Sequence, residues 1–504
     1  MSKNLNNLAE GASIIFLGIA ISKLLHYIYR AIIARMLTPG DYGIIILGMS
    51  VISIFGWVAL FGLNQAAERN ISFYHNKKRE LKGVLLSILK FGFPLALVLS
   101  LLLLMLSKDI SLILKKENLI QIIKIMSFGV MGYSLAEISG SILRGFKKIR
   151  EFVYVKYIIE PASRTILTII FIILGLKIKG AAIAYILSLF ISIVIAMLII
   201  RKTAYKAIKK IKAINMDLKI IKFSWPLLFT GLVFSITGWI DTLMIAYFST
   251  EELVGLYNTA LPTAGIILIT QSSFDGVFIP IMSRLFSKKD YKNIKENYER
   301  VTKWITILTI PLFMSIIFFS KGIINILFGT PYLEAYKPTI ILAVGFLMVM
   351  IVGPCENMLN VTFKTKLKMY LRIIMLIINI ILNLILIPRY GISGAAISTS
   401  VALTFYNICC FIYVKNKFNV NIIKLKTISI ILASALLPLL LSILYNPLNK
   451  LVTMSFIILS LIYSTIIIIL MKYLNKEDII IIYDIEKKLN IKHTISSILT
   501  KYSK

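Results

Sequence analysis

The stretch IARMLTPGDYGI, residues 33–44, closes one long apolar run and opens the next. Pro39 and Gly40 among polar neighbours predict a corner between two helices. A second corner of the same kind lies further along. IAYFSTEELVGL, residues 245–256, carries Ile, Ala, Thr and Gly at the same register, 212 residues later. Both place acidic residues in the turn, Asp41 in one and Glu251 with Glu252 in the other. A second pair, IKGAAIAYILS at 178–188 and ISGAAISTSVA at 392–402, repeats with an offset of 214. The chain therefore reads as a duplicated unit.

The nature of that unit follows from composition. Apolar residues make up 58% of the chain. They gather in runs of roughly 20, each able to cross a bilayer core of about 30 Å as a helix. A membrane β-barrel would instead show alternating segments of about 10 residues. The expectation is an all-α polytopic membrane protein with fourteen transmembrane helices. The spans read as 10–29, 43–66, 83–107, 118–142, 153–174, 181–200, 223–248, 255–283, 304–319, 338–362, 369–388, 392–414, 427–445 and 451–471. Spans 1–6 and 7–12 are the two copies. Six is even, so both copies face the same way and form two parallel six-helix lobes. The predicted divisions are an N-terminal lobe 1–200, a basic cytoplasmic linker 201–222, and a C-terminal lobe 223–415. Two extra helices at 416–472 and an amphipathic cytoplasmic tail at 473–504 follow.

A formal charge of +33 first suggests nucleic acid, but the positions of the charges exclude it. The termini and the connections after even-numbered spans hold about 40 of the 56 Lys and Arg residues, and the alternate connections about 11. This asymmetry predicts a cell-membrane protein with both termini cytoplasmic and membrane lipids as its surroundings. Cys355, Cys409 and Cys410 all fall in predicted spans, so no disulfide framework is implied. His26, His75 and His493 are scattered, so no metal site is expected. The first apolar segment lacks a convincing cleavage site and reads as a retained helix.

Four stretches carry a family resemblance. ARMLTPGDYGI at 34–44 resembles a first outer turn, and GLNQAAERNISFY at 62–74 a second-helix exit with Ala66 and Arg69. ISGSILRGFKKIREF at 138–152 resembles a basic inner loop, and PIMSRLFSKKDYKNIKENYERVTKWITILTIP at 280–311 a linker between helices 8 and 9. Together they resemble the polysaccharide-biosynthesis, O-antigen flippase (RfbX/Wzx-like) family of the multidrug/oligosaccharidyl-lipid/polysaccharide exporter superfamily. The likeness runs over about 10–415. It implies two six-helix lobes in a V around a central cavity. It also implies alternating access that moves a lipid-linked oligosaccharide from the inner to the outer leaflet.

Such a substrate has a polar head and an anionic phosphate or pyrophosphate, so intramembrane charges become candidates. Lys23, Tyr27 and Arg30 lie at i, i+4 and i+7, on one face of the first helix. Lysine would act on phosphate as a point charge and arginine as a fork. In the fifth span Lys156, Glu160 and Arg164 form a self-compensating ladder, with Arg164 a candidate for the cavity. By the 212-residue offset Arg30 corresponds to Thr242, beside Asp241. Arg30 and Asp241 are therefore expected to approach each other when the cavity is closed to the outside. Glu137 and Glu356 occupy the inner thirds of spans 4 and 10 and are candidates, with Glu160 and Asp241, for H+ or Na+ coupling. The expectation is a monomeric transporter without cofactor or catalytic centre. The alternatives are a multidrug or metabolite exporter of the same superfamily and a membrane enzyme acting on lipid-linked sugars. The enzyme would need a catalytic loop or domain that these short connections do not supply.

Overall fold

Local chemistry sets the helix ends. At the first corner the Thr38 side chain accepts a hydrogen bond from the Asp41 amide at 3.1 Å. Pro39 takes the first position of the helix Pro39–Leu60, and Asp41 meets the positive end of its dipole. The corner read at 33–44 is thus a short break between Ser2–Met36 and Pro39–Leu60.

The computed structural model describes residues 2–202, 211–422, 425–471 and 473. Residues 203–210 of the predicted linker and 474–504 of the predicted tail lie outside the described residues. Every regular element among the described residues is helical. Ten of these helices are long and apolar enough to cross a membrane, or eleven when Leu119–Met126 and Phe128–Gly145, bent by 41°, are taken together. The chain is a multi-pass membrane protein. Two of the ten are too long for one crossing. The 54 residues of Thr365–Phe418 would reach about 81 Å if straight. Their axis breaks at Gly391, with φ 55° and ψ −134°, a conformation open to glycine. Asn379 then meets Thr399 across the resulting hairpin at 3.3 Å. Ile149–Ile200 breaks in the same way at Gly175, φ 86°.

The chain forms two units. One is Met1–Thr259 with Ile380–Ala395, the other Ala260–Asn379 with Ala396–Lys504. In the first unit Pro39–Leu60 is central: 78% of its apolar window is buried, against 28% for Lys78–Met105. On the latter helix Val98, Leu101, Leu102 and Met105 are exposed, while Ser87, Gly92 and Ser100 turn inward. Lipid reverses the usual water-soluble pattern, because it solvates Leu while small and polar residues let helices approach. In the second unit the helices Leu425–Ile443 and Lys450–Leu470, the predicted additions, pack on each other and on Tyr291–Leu327. Gly322 abuts Tyr445 and Thr453 there, and the Asn325 amide donates to the Pro447 carbonyl at 3.0 Å.

The unit boundary differs from the lobe boundary read from the repeat. Asp217–Phe248 and residues 251–259 open the second copy but pack with the first unit. The contacts explain this. Gly231 makes room for the Trp57 ring, and Ser53 meets Ser235 at 3.4 Å. At the start of the helix Asp217 holds Lys90 and Ser87, each at 2.6 Å. Lys82 donates to the Ile211 carbonyl at 2.8 Å.

Candidate functional site

The first charged cluster lies inside the first unit. Tyr154–Ile159 winds as a π-helix, and Glu160–Phe171 continues it with Pro161 near its start. Widened turns of this kind re-aim side chains and recur at functional sites. Here they align Lys156, Glu160 and Arg164. Lys156 bridges Glu137 at 2.7 Å and Glu160 at 3.0 Å, and Arg164 pairs with Glu160 at 2.8 Å. The Arg164 Nε donates to Ser188 at 3.3 Å, and its guanidinium lies 4.5 Å over the Tyr185 ring and 5.9 Å from that of Tyr29. Two cations thus balance two anions. Glu160 and Arg164 are buried, at 4% and 6% exposure. The predicted ladder is present. However, Arg164, read as a cavity-facing phosphate ligand, is packed away among its partners. Lys156 does not snorkel, because two carboxylates hold it inside.

The second cluster lies in the second unit. Gly353, at φ 74°, breaks the helix ending at Ile351, and Cys355–Val361 restarts it. This places Glu356 against the start of Thr365–Phe418. One oxygen of Glu356 takes both Lys368 at 2.8 Å and Arg372 at 2.6 Å. Asn360 accepts from Lys368 at 3.4 Å, and Asn357 donates to Asp275 at 2.6 Å. Lys368 and Arg372 escaped the reading of the sequence, although a signal was there. The 212-residue offset carries Lys156 onto Lys368 and Glu160 onto Arg372.

The two corners of the repeat meet inside the first unit. A side chain on Gly43 would overlap the Glu251 carbonyl, and one on Gly255 would overlap the Pro39 carbonyl. Adding 212 turns 39 into 251 and 43 into 255, so swapping the repeats exchanges one contact for the other. This is the self-complementary form of a twofold interface. Around it, Arg30 donates to the Asn258 carbonyl at 3.2 Å, and Tyr42 to the same oxygen at 3.5 Å. The Asn258 amide reaches Thr242 at 3.2 Å. Lys116 donates to the Ser249 carbonyl at 2.7 Å, with Glu251 at 3.8 Å. Arg30 and Asp241 were expected to approach each other, but here they take different partners. Asp241 accepts from the Tyr257 hydroxyl at 2.8 Å and the Asn383 amide at 2.7 Å. The Asn258 carbonyl, not a carboxylate, meets the guanidinium.

On the first helix Lys23 is exposed, while Tyr27 and Arg30 are half-buried. Of the eight residues singled out from the sequence, Lys23 alone is exposed. Tyr29, on another face, is buried toward Arg164. Among the described residues no group of His, Cys, Asp and Glu is placed to hold a metal ion.

Comparison with known proteins places this arrangement. A model of the polysaccharide biosynthesis protein family matches residues 8–286, more than half of the chain. The chain belongs to this family. The MatE model also matches, over residues 226–385. An uncharacterized membrane protein of Methanocaldococcus jannaschii is 26% identical over 410 residues, 77% of this chain and 80% of that one. The probable low-salt glycan biosynthesis flippase Agl15 of Haloferax volcanii is 27% identical over 168 residues, 33% of this chain and 35% of its own. Among solved structures, the lipid II flippase MurJ in an inward closed conformation superposes with a TM-score of 0.68 at 20% identity. It covers 90% of this chain and 99% of its own length, so this polysaccharide biosynthesis family member shares its fold.

Proposed function

We propose that the protein is a flippase that carries a lipid-linked oligosaccharide or polysaccharide precursor from the cytoplasmic to the outer leaflet by alternating access. It is a transporter rather than an enzyme, it works as a monomer, and both termini are cytoplasmic. The observation that carries the reading is the reciprocal contact of Gly43 with Glu251 and of Gly255 with Pro39. A closure made of backbone contacts, ringed by a few hydrogen bonds to the Asn258 and Ser249 carbonyls and one long Lys116–Glu251 pair, can part without breaking a close ion pair. That property suits a gate at the outer end. Family membership and the names of Agl15 and MurJ support the substrate class. The face of Lys23, Tyr27 and Arg30 supplies the cationic surface for the lipid phosphate, and an H+ or Na+ gradient drives the cycle.

The test is translocation of a fluorescent lipid-linked oligosaccharide across liposomes holding the purified chain. Wild type moves the lipid to the opposite leaflet, and Lys23→Ala slows it. If wild type leaves the lipid in place yet moves a small organic cation, the multidrug-exporter reading replaces this one.

A further inference from the structure

We infer that Lys368 and Arg372 form a docking site for the phosphate group of a membrane lipid. Both copies hold the matching lysine on a glutamate of the preceding span, Glu137 at 2.7 Å in the first and Glu356 at 2.8 Å in the second, although the two glutamates stand at different repeat positions. One turn beyond that lysine the copies diverge. The first has Glu160, which neutralises Lys156 and Arg164. The second has Arg372, so Lys368, Arg372 and Glu356 together keep one net positive charge.

Accessibility diverges in the same sense. At the shared lysine the side chains are similarly exposed, 19% for Lys156 and 24% for Lys368, and one turn on they differ, 6% for Glu160 against 31% for Arg372. Lys368 and Arg372 converge on a single carboxylate oxygen. A guanidinium has five N–H donors, and Glu356 takes one of those of Arg372 here. The group lies 5.5 Å over the Tyr406 ring, which fixes its plane. Lysine and arginine at i, i+4 share one face. Lys368 sits in the first turn of the helix that begins at Thr365, where the helix dipole is positive.

Depth selects the ligand. The charge asymmetry of the connections puts this helix end at the cytoplasmic leaflet, the level of lipid phosphates. A lysine beside an arginine fork suits a phosphate or pyrophosphate. Glu356 already offsets part of the charge, so a bound phosphate is readily released. The site deepens the flippase reading by giving the lipid an inner-leaflet station. It is tested by binding alone, so either idea can fail without the other.

The experiment uses the full chain in phosphatidylcholine nanodiscs, with retained lipid counted by native mass spectrometry. The probes are a polyprenyl pyrophosphate and phosphatidylglycerol, and melting temperature checks the fold of each variant. Arg372→Gln is expected to weaken binding of the favoured probe about tenfold or more, with Arg372→Lys in between. Glu356→Gln is expected to tighten it. A role confined to holding helices together predicts the opposite for Glu356→Gln, namely weaker binding. Preference for the polyprenyl probe identifies a carrier lipid as the source of the phosphate, and preference for phosphatidylglycerol identifies a bulk phospholipid. Binding of neither probe by wild type, or equal binding by wild type and Arg372→Gln, overturns the site. Should Arg372→Gln not fold, Lys368→Gln and Glu356→Gln decide by the same signs.

Discussion

The two copies of the repeat agree at their corners and disagree at their charged clusters. At the corners, Pro39 and Gly43 do to the second copy what Glu251 and Gly255 do to the first. At the clusters, the shared lysine–glutamate clasp is followed by an acid in one copy and a base in the other. Close backbone packing needs both glycines, so the duplicated sequence has a reason to keep them alike at the contact. The partners of each cluster come from its own copy, so each is free to specialise. The first is neutral, with Glu160 and Arg164 buried, which suits a strut. The second is positive and part-exposed, which suits a ligand.

The largest expected effect breaks the strut. Glu160→Gln leaves Lys156 and Arg164 with Glu137 as their remaining acid, a loss of about 3–5 kcal/mol for a buried pair. Thermal unfolding in detergent should show it. Glu356→Gln should cost roughly 1–2 kcal/mol or less, because its partners are part-exposed. Equal losses in the two variants would erase the contrast between the clusters.

Next come the corners. Gly43→Val and Gly255→Val should each disfavour the closed outer contact by about 1–3 kcal/mol, the usual range for overpacking. That corresponds to a shift of roughly 5- to 150-fold in the closed population. The readout is labelling from outside of a cysteine placed at Ser235, in a chain whose Cys355, Cys409 and Cys410 are replaced. The symmetry of the contact predicts similar effects for both variants. A large inequality would show that the two corners are not equivalent.

A transplant tests the charge difference directly. Leu376 lies 212 residues after Arg164, so Arg372→Glu combined with Leu376→Arg writes the first ladder into the second cluster. Lipid-phosphate binding should fall while stability changes by about 1 kcal/mol or less, as for part-exposed pairs. Retained binding would mean that the difference in charge is not what matters. The smallest effect is expected for Glu251→Gln. Its contact with Lys116 is long and part-exposed, and Lys116 keeps its bond to the Ser249 carbonyl, so outer labelling should shift by an amount worth about 0.2–1 kcal/mol.

Much of this was legible in the chain. Apolar runs of bilayer length need no tertiary information, because the solvent they match is the membrane. The duplication and its corners were legible because Pro, Gly and Thr act locally, as the Thr38 cap shows. The ladder of Lys156, Glu160 and Arg164 was legible because i, i+4 spacing makes neighbours on any helix.

Other features depend on partners that local spacing does not encode. Arg30 and the Asn258 carbonyl are 228 residues apart, and the acceptor is a backbone atom whose side-chain identity carries no signal. Which of Glu137 and Glu356 faces one cation and which faces two depends on helices packed from different parts of each copy. The assignment of Asp217–Phe248 to the first unit follows from Gly231 against Trp57 and Asp217 against Lys90, not from the place of that helix in the repeat. Periodicity determined which segments cross and which residues share a face. Tertiary packing decided which charges are sealed in pairs and which remain accessible, because burial and pairing are properties of neighbours brought together across the fold.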